Sequence, residues 1–143
     1  MDSNEVVNAF QNDSLGSDDA VGIADKIKKG ELSASLVTQD AIERAKAVNS
    51  KLNAITVENF DLAQTNSEKP FSGFFQGVPT FIKDTDEVPG LPLYLGSRSL
   101  PGEPSDKYSK AAKQIIDTGL NCLGTTTTVS YTHLRAHETS RYL

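Results

Sequence analysis

Tryptophan is missing altogether, and one cysteine and one methionine stand in a chain of 143 residues. The lone cysteine, Cys122, excludes an intrachain disulfide and a cysteine-built zinc site. It fits a reducing compartment. Basic residues are in deficit, 14 Lys and Arg against 19 Asp and Glu, for a formal net charge of -5 with no basic cluster to offset it. An acidic surface repels phosphate backbones, so nucleic acid is not an expected partner. No apolar run approaches the length that spans a bilayer. The opening residues, Met1-Asp2-Ser3-Asn4-Glu5-Val6-Val7, lack the basic and apolar stretches of a secretory signal. The expected address is cytoplasmic, away from membranes. Aromatics at 7% and hydrophobics at 37% are lean for a self-contained enzyme, yet enough for one modest core. Charged residues at 23% and a mean hydropathy of -0.37 place the chain among globular proteins.

What is present divides into three stretches. Residues 1–16 are polar and read as an irregular lead-in. Ser17 offers an N-cap for a helix over 18–29, with Asp18 and Asp19 in the first turn, Lys26, Lys28 and Lys29 in the last, and Gly30 at the stop. Its apolar stripe is Val21, Ile23, Ala24 and Ile27. Ser33 caps a second helix to about residue 48, striped by Val37, Ala41, Ala45 and Val48 with Leu36 and Ile42 at the flanks; Glu43, Arg44 and Lys46 are expected to face water. Residues 52–57 suit a short strand and 59–66 one or two helical turns. From Pro70 to Pro104 glycine and proline recur so often that loops and short strands replace long helices, with a buried strand over 78–82. Asp106 opens a third helix to about Thr118, with Ala111, Ala112, Ile115 and Ile116 inward. Gly119 ends it, and 120–123 forms another strand. Helix, glycine stop and apolar tetrad together indicate an α/β chain with a parallel or mixed sheet.

Chemistry concentrates in Gly77-Val78-Pro79-Thr80-Phe81-Ile82-Lys83-Asp84. Lys83 follows an apolar strand directly, at the edge where α/β sheets place their sites. An amine held away from water there favours the neutral form, the state needed to activate a serine. The plainer reading is a solvated ion pair with Asp84. Spacing alone leaves both open, and Asp84 itself either orients Lys83 or starts a turn.

The wording of the segment adds a resemblance. With Val88-Pro89-Gly90-Leu91-Pro92 and Leu95-Gly96-Ser97 it resembles the start of the amidase signature family. There a G-[VI]-P-x-x-[IV]-K-D block precedes a G-x-P-T-T-x-G-S-like block, an Asp-led helix and a G-K-T-N-like turn. Asp106, Ile116, Gly119 and the run Gly124-Thr125-Thr126-Thr127-Thr128 follow in that order. Upstream, Lys29-Gly30-Glu31-Leu32-Ser33 and the stretch 49–54 are similar to the family's paired lead-in helices, so the resemblance runs from about Leu15 to Thr128. It implies a Ser–Ser–Lys amidase mechanism with Lys83 as the catalytic lysine, a small-molecule amide as substrate, and neither metal nor organic cofactor. The implied fold is an incomplete amidase-type α/β domain over 17–128, its N-terminal helices packed on the first strands of a mixed sheet. Both serines belong to a Gly/Ser-rich block that does not occur here, so the chain alone is expected to be inactive. Ser97 and Ser99 lie in the wrong block to replace them. Leu93-Tyr94 stands in place of a Thr pair, and Thr125 in place of a common Lys. The resemblance also admits a glutamine amidase of the amidotransferase type, which releases ammonia from glutamine within a complex that charges tRNA. From a different class, a non-catalytic scaffold or binding fragment would leave Lys83 an ordinary surface residue.

After Thr128 the wording changes. Residues 129–143 depart from the family pattern and read as a non-native tail, a translated library or adaptor sequence. His133 and His137 are four apart, like two zinc ligands on a helix, but no Glu follows His133 and no third ligand is evident, so an exposed tail is expected. Cys122, on an apolar strand, is expected to be inert packing. The Thr-rich turn after Gly124 is an ordinary strand exit, and Gly90 and Gly96 serve tight turns.

Overall fold

The computed structural model describes residues 7–97 and 99–128. Within them four helices and three strands follow in the order α1 (Ala20–Lys28), α2 (Ala34–Leu52), β1 (Ile55–Glu58), α3 (Phe60–Ser67), β2 (Pro79–Lys83), α4 (Lys110–Asp117) and β3 (Asn121–Thr126). The strands form one mixed sheet ordered β1-β3-β2, antiparallel between β1 and β3 and parallel between β2 and β3.

Local chemistry explains the boundaries. Asp19, not Ser17, caps α1: its carboxylate accepts from the Gly22 amide at 2.8 Å, while Asp18 turns to pair with Lys26. An ionised cap also complements the helix dipole, which a serine cannot do. The helix closes as a Schellman turn: Glu31 N–H donates to the Lys26 carbonyl and Gly30 N–H to that of Ile27, with Gly30 at φ 74°. Ser33 caps α2 as expected, but the helix continues four residues past Val48 because no breaker intervenes before Asn53, at φ 48°. The Asn49 side chain then accepts from the Ala54 and Ile55 amides at 2.9 and 3.1 Å and steers the chain into β1. Helix α4 starts at Lys110 rather than Asp106. Residues 104 and 105 instead bridge to 92 and 89, and Ser109 caps the helix by accepting from the Ala112 amide.

Successive residues of a strand point to opposite faces, and β3 separates two cores accordingly. Leu123 packs with Ile42, Phe60 and Ala63 on the side of α2 and α3. Cys122 packs with Ile82, Val88, Leu91 and Ala112 on the other. A third cluster joins Ile23 and Ala24 of α1 to Val37 and Val78. The buried face of α2 is therefore Val37, Thr38 and Ile42; Leu36 lies 43% exposed and Ala41, Ala45 and Val48 only partly covered, a rotation of the expected stripe. In α4 Ala112 is buried and Ile116 half-buried, whereas Ala111 and Ile115 face outward.

Arg44 does not face water. Its guanidinium donates to both carboxylate oxygens of Asp13, at 2.6 and 2.5 Å, and to the Gly16 carbonyl at 2.8 Å. Beside it the Ser14 amide and hydroxyl donate to Asp40. The polar lead-in is thus tied to the outer face of α2, with Phe10 under the guanidinium. Residues 129–143, including His133 and His137, lie outside the described residues.

Candidate active site

Parallel strands β2 and β3 end together, with Lys83 in register beside Thr126. Alternation along β2 buries Ile82 and leaves Lys83 exposed at the C-terminal edge of the sheet. Its ammonium makes no side-chain hydrogen bond or ion pair with the described residues. The chain then turns at once: the Lys83 carbonyl accepts from the Thr85 and Asp86 amides at 2.7 and 3.0 Å.

Asp84 neither orients Lys83 nor merely starts that turn. Its side chain is fully buried and reaches away from the lysine, one oxygen accepting from the Tyr94 amide at 3.0 Å and the other from the Gly96 amide at 3.2 Å. A carboxylate buried this deeply needs donors, and two backbone amides supply them. The 94–97 turn closes with Ser97 N–H on the Tyr94 carbonyl at 2.8 Å. Beside this turn a concavity of about 580 Å³ opens at the sheet edge, lined by Asp84, Tyr94, Ser97, Thr127 and Thr128 among others.

Backbone pairing anchors the Thr-rich run to its neighbours. Thr127 N–H is taken by the Ala54 carbonyl, and the Asp84 N–H by that of Thr126. Gly124 is glycine for packing: at φ 146°, a Cβ there would sit 2.2 Å from the Val57 carbonyl oxygen of β1. Thr125 is buried with its hydroxyl unpartnered among the described residues. Cys122 is buried, burial pushes its thiol above the ordinary range, and its sulfur lies 3.5 Å from the Gly124 carbonyl. It is a packing residue. Among the described residues no group of three His, Cys, Asp or Glu side chains could hold a metal ion, and no helix is long and apolar enough to cross a membrane.

Comparison with known proteins decides the family. Residues 36–143 match the family described as Amidase. The chain belongs to the amidase family. It is 41% identical over 120 residues to the amidase candidate AmiC of Mycobacterium leprae, covering 84% of this chain and 26% of that protein. The solved structure of 6-aminohexanoate cyclic dimer hydrolase with its substrate superimposes with a TM-score of 0.69 at 30% identity, covering 78% of this chain and 23% of the other. The peptide amidase of Stenotrophomonas maltophilia shares the fold, with a TM-score of 0.74 at 22% identity over 82% of this chain and 26% of its own. Helices packed on a mixed three-stranded sheet are therefore one part of the amidase fold. The chain spans about a quarter of the length of the relatives it matches.

Sequence reasoning missed three residues that organise the site and its support: Asp84 as a loop anchor, Asn121 and Arg44. Their hydrogen-bond partners lie at least ten positions away, beyond any local pattern.

Proposed function

We infer that the full-length parent of this chain hydrolyses a carboxamide C–N bond and that Lys83 is its general base. The observation that carries this reading is the Lys83 amine, unpartnered among the described residues, at the C-terminal edge of the parallel β2–β3 pair, in a member of the amidase family. The adjacent carboxylate, which would otherwise hold the ammonium in an ion pair, is committed to the Tyr94 and Gly96 amides.

In the complete enzyme, residues beyond this chain close over the sheet edge and leave the amine uncharged. Through a bridging serine it takes the proton of a nucleophilic serine. That serine attacks the amide carbon, the nitrogen leaves with the proton returned to it, and water releases the acid. Both serines lie in the portion of the parent outside these residues, as do the backbone donors for the oxyanion. The substrate is a small amide, in keeping with the hydrolase of cyclic 6-aminohexanoate dimer. Residues 17–128 carry the amidase motifs of the chain, and the family match itself continues through residue 143.

The test is Lys83→Ala in the full-length parent, assayed for ammonia or amine release from simple amides and from glutamine. Loss of about 10³-fold in kcat is expected for removal of a general base. Turnover retained within a few-fold would return Lys83 to the surface and remove it as the base, whereas a parent with no turnover at all would leave a scaffold. Turnover of glutamine alone would assign the amidotransferase activity. The 143-residue chain by itself is expected to release none.

A further inference from the structure

We propose that Asp84 is a positioning residue that locks the 94–97 turn against the end of β2 and so fixes one wall of the concavity at the sheet edge. The inference rests on the amidase reading for its functional half only.

Three observations converge on it. The carboxylate is fully buried and spends one oxygen on each of two amides, those of Tyr94 and Gly96. The residue between them, Leu95, has φ 51°, and Gly96 follows at φ 71°. Positive φ at both central positions of a turn suits Asn-Gly or Gly-Gly, not a leucine. Leu95 is 43% exposed, so packing does not hold it in that conformation. A strained residue persists only where its surroundings over-determine it, and the carboxylate grips the amides on either side. Third, the Tyr94 ring sits on Gly102, where a Cβ would lie 2.4 Å from it. The turn is thus seated from two directions, and both Tyr94 and Ser97 face the concavity.

Asparagine at 84 keeps the shape but presents an N–H₂ group to one of the two amides, donor against donor. In Asp84→Asn of the full-length parent, hydrogen exchange read by mass spectrometry is expected to accelerate about tenfold or more at Tyr94, Gly96 and Ser97. The amides of β3 should keep their rates. Adding Leu95→Asn gives the turn a residue that tolerates positive φ, and should slow Ser97 again while Tyr94 and Gly96 stay fast. Unchanged exchange at the three amides overturns the proposal, and so does equal acceleration across the sheet, which would make Asp84 a general stability residue. Should the single variant fail to fold, the double variant carries the test: slow exchange at all three amides overturns the anchor, and the split pattern supports it. In the full-length parent, Asp84→Asn is expected to raise KM about tenfold, because a displaced wall weakens substrate positioning. A loss confined to the fraction of active enzyme, with KM unchanged, counts against positioning. Activity surviving Lys83→Ala would remove the assigned base without touching the exchange result, so the two ideas fail separately.

Discussion

Asp13 and Arg44 stand 31 positions apart and meet through a paired set of hydrogen bonds, both side chains largely covered. The guanidinium beside Asp13 holds its carboxyl below the ordinary value of 3.8. A carboxylate depressed by folding adds stability that is fully present above that value and disappears as pH falls through the lower folded-state one. Acid titration below pH 3.8 should therefore release the lead-in, read as faster exchange of the Leu15 and Gly16 amides. Asp13→Asn should show that release already at neutral pH. Asn121 is the second such residue. Its buried amide donates to the Thr38 hydroxyl at 3.1 Å and the Ala63 carbonyl at 3.0 Å, tying β3 to α2 and α3. Asn121→Ala removes both buried hydrogen bonds, and the cost expected from urea unfolding of the full-length parent is about 1–3 kcal/mol. At this scale the place of Lys83 at a strand end was legible, because an apolar run stops there. Asp84, Asn121 and Arg44 were not, because each takes its role from a partner that only the folded chain brings close.

Elements were legible where the periodicity or a local stop signal is strong, and their ends were not. Every expected helix and strand is present, but α2 overruns its expected end by a turn because no breaker precedes Asn53, and α4 starts four residues late because residues 104–105 bridge to 92 and 89. Register is similarly opaque. Between β1 and β3 the pairing shifts between Ile55 and Val57, and the missing side chain of Gly124 leaves room for the Val57 carbonyl. Gly124→Ala is expected to cost at least about 2 kcal/mol, from a positive φ and a collision with backbone together. A shift of the urea midpoint at constant m in the full-length parent measures it. A neutral outcome would mean that β1 can move away from β3 without loss.

For the whole molecule the balance of covered and uncovered surface matters most. Phe74 at 61% exposure, Leu52 at 53%, Leu62 at 51% and Val21 at 46% lie on the outside of a small core. Both β1 and β2 are edge strands of the three-stranded sheet. Open edges and exposed apolar side chains favour association. In isolation the chain is expected to unfold broadly and to associate as concentration rises, which circular dichroism and light scattering over a concentration series would reveal. A sharp, reversible transition independent of concentration would contradict this.

The central strand of the sheet is also the last of the seven described elements. During synthesis the earlier helices leave the ribosome with their apolar sides uncovered, since Leu123 and Cys122, which join the two main cores, follow far behind α3. A stall in translation before residue 126 would leave the nascent chain with helices and no sheet to hold them. Chaperone demand should accordingly peak in that interval and fall once β3 has emerged.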